Sequence, residues 1–219
     1  MKSKDFCVLV SCGSFSPITY AHLLLLETAK NFISSELKLS VLKGVISPVN
    51  DAYPKRGLVS SKDRIEMCKL AINDSTWIEV DTWEAEQSEY IRSYKVLQHI
   101  KQSIPETIQN ETQMMFVCGT DFVHGMSNTN LWPTESVKRL LQETKLLVQY
   151  RPNAHSLDLD WLEPQLRNRI IELPSTSPYS SISSTLVRDL IASNLSVKYM
   201  IPSQVIDYIV KQNLFVNSA

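Results

Sequence analysis

Val8-Leu9-Val10-Ser11-Cys12-Gly13-Ser14-Phe15-Ser16-Pro17-Ile18-Thr19-Tyr20-Ala21-His22 carries the chain from an apolar run, through a turn of small residues, into a stretch with helical periodicity. Val8, Leu9 and Val10 read as a buried strand, and Leu25, Ala29, Phe32 and Ile33, spaced i, i+4, i+7 and i+8, read as one face of the helix that follows. A small-residue turn that opens a helix is an anion site. Gly13 and Ser14 let a phosphate approach the backbone, the unpaired N–H groups of the first helical turn point at it, and His22 faces the same place. Far downstream, Ile182-Ser183-Ser184-Thr185-Leu186-Val187-Arg188 is a second helix start, with hydroxyl caps at Ser183, Ser184 and Thr185 and a guanidinium one turn on at Arg188. Taken singly, a histidine at a helix start is more often a surface or core residue, and Ser-Ser-Thr is usually a cap. Two anion cradles in one small chain suit a polyphosphate.

Working outward, strand-like runs at 6–11, 39–46, 77–80, 114–118, 146–150 and 169–173 are mostly separated by helical periodicity. One intervening helix opens at Ser60-Ser61-Lys62-Asp63, a Ser-x-x-Asp capping pattern, and carries Ile65, Cys68 and Ile72 on one face. Such alternation predicts an α/β fold: a doubly wound, mostly parallel, Rossmann-like sheet with helices on both faces. Ligands of these sheets bind beyond the carboxyl ends of the strands, so the Gly13 turn, the loop after Ile46, the Cys118-Gly119-Thr120-Asp121 turn and the stretch after Leu173 are expected along one crevice. The polar stretch 102–113 reads as a mobile surface connection. A last helix over about 202–212 starts at Pro202 and puts Val205, Ile206, Ile209 and Val210 on one face.

Composition narrows the partners. With 219 residues, 43% of them hydrophobic, one compact domain with a sizeable core is expected. A formal charge of −1, from 22 basic and 23 acidic side chains, offers no general field for nucleic acid or anionic lipid, so phosphate recognition has to be local. No apolar run approaches the ~20 residues that span a bilayer, and Met1 to Asp5 leave no room for a leader before the first strand. Cys7, Cys12, Cys68 and Cys118 lie in or beside apolar runs without metal-ligand spacing, and read as reduced packing residues of a cytosolic compartment. No residue set is assigned to a protein-held metal.

Gly13-x-Phe15-x-Pro17-x-Thr19-x-x-His22 with Ile182-Ser183-Ser184-Thr185-x-x-Arg188 resembles the signature pair of the HxGH nucleotidyltransferases, in a variant where Thr19 replaces the first His and Ala21 the Gly. The loop Ser47-Pro48-Val49-Asn50-Asp51-Ala52-Tyr53-Pro54-Lys55-Arg56-Gly57-Leu58, with Val80-Asp81-Thr82-Trp83-Glu84 and Thr129-Asn130-Leu131-Trp132, is similar to the nicotinamide mononucleotide adenylyltransferase family in its eukaryotic branch. The resemblance runs from Val8 to Phe215 and implies a single nucleotidyltransferase domain over 1–219. It implies that ATP and nicotinamide mononucleotide give NAD and pyrophosphate, with nicotinate mononucleotide also expected as a substrate and Mg2+ bound mainly through the ATP phosphates. His22 is then the donor to the α-phosphate with Thr19 a neutral donor beside it, and Arg188 and Thr185 meet the β- and γ-phosphates. Gly13, Ser14, Phe15, Ser183 and Ser184 complete the ATP set. On the mononucleotide side, Lys55 meets the incoming phosphate, Trp132 stacks on the pyridine with Leu131 beside it, and Gly119 and Asp121 hold the dinucleotide. Trp83, Tyr90, Ser93 and Arg151 join that set. Two positions depart from the family pattern: Tyr90 stands for a second stacking Trp, and Ser180-Ser181 for an Asn-Asp pair.

Rival readings are a nucleotidyltransferase of the same fold with a pantetheine-phosphate or cytidylyl acceptor, and a non-catalytic nucleotide-binding or chaperone-like protein. The 47–58 loop with Trp132 argues against the first, and His22, Lys55 and Arg188 against the second. A dehydrogenase would need Gly-x-Gly-x-x-Gly, which is absent. The expectation is a homo-oligomer without nucleic-acid or membrane partners, in the cytoplasm with the nucleus still open.

Overall fold

Strand β1 (Phe6–Gly13) buries Cys7, Val8, Leu9 and Val10 in succession, the mark of a strand covered on both faces of a parallel sheet. In the computed structural model, which describes residues 5–150, 157–174 and 181–216, the other strands are β2 (Ser40–Pro48), β3 (Ile78–Val80), β4 (Thr112–Gly119), β5 (Thr144–Gln149) and β6 (Ile170–Glu172). They form one six-stranded sheet in the order β3-β2-β1-β4-β5-β6, the order of a doubly wound Rossmann-like fold. The β1–β4, β4–β5 and β5–β6 ladders are parallel, with Val8 opposite Met114, Phe116 opposite Leu146 and Gly119 opposite Gln149.

The helices are α1 (Tyr20–Phe32), α2 (Ser61–Ala71), α3 (Ser93–Gln102), α4 (Glu106–Gln109), α5 (Thr120–Met126), α6 (Thr134–Glu143), α7 (Pro164–Arg167), α8 (Ser184–Ala192) and α9 (Ser203–Lys211). Contacts group the chain into two compact units. One comprises Met1–Ser11, Leu25–Gly44 and Arg92–Ser177; the other comprises Cys12–Leu24, Val45–Ile91 and Pro178–Ala219.

Helix phases differ in detail from the periodicity. In α1 the buried position is Leu26 rather than Leu25, together with Ala29 and, one turn on, Ile33. In α9 Val205 and Ile209 are buried, while Val210 lies on the open side of the helix. The 102–113 stretch is not a plain surface connection: it contains α4 and the buried Ile104, and its last residues begin β4. The four cysteines are free thiols, and burial pushes Cys7 up to about 12 and holds Cys68 and Cys118 well above the ordinary thiol range. No described helix is long and apolar enough to cross a membrane.

Candidate active site

The unit containing Cys12–Leu24 holds the turn expected from sequence to meet phosphate. It leaves β1 at Gly13, passes Phe15 in the left-handed region (φ 43°) and a cis Ser16–Pro17 bond, and enters α1 after Thr19. An added Cβ at Gly13 would lie 3.2 Å from the Phe15 ring, a tight contact that the ring would have to yield to. Phe15 in turn meets His22 edge-on, with ring centroids 5.2 Å apart.

His22 Nδ1 accepts the Thr19 backbone N–H at 3.0 Å, and the Thr19 hydroxyl lies 2.8 Å from the same nitrogen. A backbone N–H can only donate, so Nδ1 is the acceptor and the neutral ring carries its proton on Nε2. Thr19 is fully buried. It therefore acts behind His22, fixing its tautomer and orientation, rather than as a second donor beside it.

Lys55, from the exposed loop after β2, donates from Nζ to Ser14 Oγ at 2.9 Å. That contact brings an ammonium to the phosphate turn across 41 residues of sequence. The loop is held by a residue the sequence reading passed over. Arg64, 0% exposed, donates from Nε to Val59 O (2.9 Å), from Nη1 to Ser14 O (3.1 Å) and from Nη2 to Val49 O (2.6 Å) and Asp51 Oδ1 (2.8 Å). One guanidinium thus ties the turn and both ends of the loop to α2. Its signal in the sequence is phase: Arg64 shares the buried face of α2 with Met67, Cys68 and Ala71, where a cation is placed only when its donors are satisfied.

The second cradle behaves partly as expected. Ser183 caps α8, its hydroxyl accepting the Leu186 N–H at 3.1 Å. Ser184 is buried and donates to Pro17 O at 2.8 Å, so it joins α8 to the phosphate turn. Arg188 is 8% exposed and donates to Ser16 O (2.9 Å) and Thr185 Oγ1 (3.3 Å). Burial lowers its pKa, opposed by Asp189. The Ser16 hydroxyl donates to Gly57 O at 2.9 Å, and a Cβ at Gly57 (φ 74°) would come 2.6 Å from Arg188 Nε. The loop, the turn and α8 are packed to backbone distance there.

Behind the turn, Ser47 donates to Glu84 Oε2 at 2.6 Å. Burial raises the Glu84 carboxyl to about 7, against the lowering effects of the Ser47 hydrogen bond and Arg64, with Asp81 adding to the rise and Cys12 bonded to it. Asn50 donates to Ala85 O and Gln87 O, pinning the segment that bears Trp83 and Tyr90. The Tyr90 ring stacks at a tilt on Tyr53, with centroids 5.6 Å apart.

The remaining candidates lie in the other unit. Gly119 ends β4 and caps α5, whose first turn carries the exposed Asp121. Trp132 is half-buried and meets Phe122 edge-on at 5.0 Å; Phe122 packs on Phe116 at 4.8 Å. Leu131 is 60% exposed beside it, and both of their N–H groups donate to Asn128 O. Ser93 is the first residue of α3 and is buried. Arg151 and Ser180 lie outside the described residues.

Residues 10–190 match the cytidylyltransferase-like family. The nicotinamide/nicotinic acid mononucleotide adenylyltransferase 2 of Saccharomyces cerevisiae is 36% identical over 226 residues, 97% of this chain and 57% of that one. Adenylyltransferase 1 of the same description from Bos taurus is 32% identical over 253 residues, covering 97% of this chain and 89% of its own. The Arabidopsis thaliana protein of that description is 34% identical over 225 residues, covering 98% and 92%. The chain thus spans little more than half of the yeast relative and most of the other two. Among solved structures, the nicotinic acid mononucleotide adenylyltransferase of Plasmodium falciparum complexed with NaAD superposes with a TM-score of 0.70 at 22% identity, over 96% of this chain and 97% of that one. That last likeness is one of fold.

Proposed function

We propose an activity on one premise: the chain belongs to the cytidylyltransferase-like nucleotidyltransferases and, within them, to the nicotinamide/nicotinic acid mononucleotide adenylyltransferases of eukaryotes. It transfers the adenylyl group of ATP to nicotinamide or nicotinate mononucleotide, giving NAD or deamido-NAD and pyrophosphate. The observation that carries this is the phosphate turn itself. A histidine locked with its proton on Nε2 and an ammonium drawn onto Ser14 meet at one glycine-led strand-to-helix turn.

The 5′-phosphate of the mononucleotide attacks the α-phosphorus of ATP; an O–P bond forms there as the bond to the β-phosphate oxygen breaks. A phosphomonoester has its second pKa near ~6, so the attacking oxygen is ionised at neutral pH and no general base is needed. Catalysis is then positioning plus neutralisation of charge. His22 Nε2–H donates to an α-phosphate oxygen as charge grows on it. Lys55 offsets the repulsion between the two anions. Arg188, through the donors not held by Ser16 O and Thr185, and the α8 start serve the β- and γ-phosphates. Mg2+ is taken to enter as MgATP, where it would supply charge neutralisation on the leaving pyrophosphate. On the mononucleotide, Trp132 supplies the stacking face for the pyridine.

The test is chemical. Purified protein is mixed with ATP, Mg2+ and each mononucleotide separately, and products are identified by mass. NAD or deamido-NAD with equimolar pyrophosphate supports the assignment; pyrophosphate without a dinucleotide, or no product, overturns it.

A further inference from the structure

Tyr199, between α8 and α9, holds its φ at 68°, in the left-handed region. There the Cβ of an ordinary residue crowds its own backbone, so a bulky side chain keeps that conformation only where the surrounding structure imposes it. The phenol is not what imposes it: the residue is 74% exposed, with the Lys198 ammonium 5.2 Å from the ring centroid. The backbone is. Met200 N–H donates to Val197 O at 3.0 Å and closes a turn in which Tyr199 takes the third position, the one that type II turns give to Gly. Val197 and Ile201, on either side, are buried.

What this turn presents is the Met200 carbonyl, which accepts the Tyr20 N–H at 3.0 Å. Tyr20 is the first residue of α1, so that N–H has no acceptor within its own helix. Both partners belong to the unit that contains Cys12–Leu24. The bond falls one residue after Thr19, whose N–H and hydroxyl meet His22 Nδ1. A backbone N–H just before a helix bonded to the side chain three residues on is half of a capping box, here with an imidazole where a Glu or Gln is usual. It survives only while the first turn of α1 keeps its geometry. Arg188 and Ser184 of α8 hold Ser16 O and Pro17 O, and Met200 O holds the helix end of the same turn.

We propose that Tyr199 is a positioning residue for the adenylyl transfer: its left-handed backbone aims Met200 O at the Tyr20 N–H, and so fixes the first turn of α1 in which Thr19 orients His22. This rests on the activity proposed above and on His22 as donor to the α-phosphate. Tyr199 acts through its backbone conformation, and its phenol is dispensable.

The experiment compares the unaltered protein with Tyr199→Gly, Tyr199→Ala and Tyr199→Val. All three remove the ring. They differ in how readily they adopt a positive φ: glycine freely, alanine with difficulty, the β-branched valine least. One readout is kcat per folded molecule, with KM for ATP and mononucleotide; the other, which needs no substrate, is hydrogen exchange of the Tyr20 amide by NMR. Tyr199→Gly should keep kcat within about twofold and keep the Tyr20 amide protected. Tyr199→Val should lower kcat about tenfold or more with both KM values within about twofold, because a displaced transition-state donor costs turnover rather than ground-state binding. Its Tyr20 amide should exchange about tenfold faster or more. Tyr199→Ala should fall between, and decides against Tyr199→Gly by the same readouts if the valine variant does not fold. A loss of kcat in Tyr199→Gly equal to that in the other variants assigns the role to the ring and overturns the proposal. Unchanged Tyr20 exchange, or unchanged kcat, in both Tyr199→Ala and Tyr199→Val overturns it too, while leaving the activity standing. Absence of turnover in the unaltered protein overturns the activity itself, and the role of Tyr199 with it.

Discussion

His22 shows how a single backbone amide can decide a side chain's chemistry. Because the Thr19 N–H occupies Nδ1, the opposite edge of the ring is the donor. His22→Ala should lower kcat by about 10²–10⁴-fold with little change in mononucleotide KM, since a transition-state donor is lost while ground-state contacts persist. Steady-state kinetics on the variant check this, and near-normal turnover would remove His22 from the mechanism. Thr19→Val deletes the hydroxyl but spares the backbone bond, so its loss of kcat should be much smaller, about tenfold. Trp132 gives a second residue-level expectation. Trp132→Ala should raise mononucleotide KM about tenfold or more by removing a stacking face, while ATP binding measured alone is retained. Loss of ATP binding with unchanged mononucleotide constants would reverse the assignment of the two substrates.

Among elements, α2 is the anchor of the site although none of its side chains is assigned to a substrate. Its buried face would be apolar but for Arg64, whose guanidinium substitutes protein carbonyls and Asp51 for water. Arg64→Met leaves three backbone carbonyls without that donor and Asp51 without its ion pair. Stability should fall by about 3 kcal/mol or more, read from the urea midpoint. KM for both substrates should rise in whatever folded protein remains, because Lys55 and Ser14 are then held less firmly. Gly57 is the complementary case on the loop. Its φ of 74° and the 2.6 Å approach of an added Cβ to Arg188 Nε leave no room for alanine. Gly57→Ala should cost about 1–3 kcal/mol of stability and weaken ATP specifically, by displacing Arg188. A variant with unchanged urea midpoint and ATP KM would contradict this packing.

For the molecule as a whole, Glu84 couples stability to pH. Burial raises its carboxyl to about 7 in the folded chain, above the ordinary value of 4.5. The folded state therefore holds the proton more tightly than the unfolded state. The stabilisation is fully present below about pH 4.5, declines as pH rises toward 7, and is lost above that; its full size is about 3 kcal/mol. Glu84→Gln, which imitates the protonated carboxyl toward Ser47, should flatten the fall in Tm between about pH 5 and 7 and raise Tm at neutral pH. An unchanged slope would assign the pH dependence to other groups.

What could be read without coordinates is local. The strand-turn-helix at Gly13, the Ser60–Asp63 and Ser183–Leu186 caps, and the strand-helix alternation that yields a parallel sheet depend on residues within a few positions of one another, and spacing encodes them. Sequence motifs also named Lys55, Arg188 and Trp132. It took the folded chain to bring Arg64 to Ser14 across 50 residues, Ser47 to Glu84 across 37, Arg188 to Ser16 across 172 and Arg92 to Leu131 across 39. Nothing local marks those partners. The same distance explains why Ser184, legible as a hydroxyl at a helix start, turns out to serve Pro17 O across 167 residues, whereas Thr185 meets Arg188 one turn along its own helix. A cap is decided by the next turn of its own helix, whereas the acceptor for a buried donor is decided by whichever backbone the sheet and loops bring within 3 Å of it.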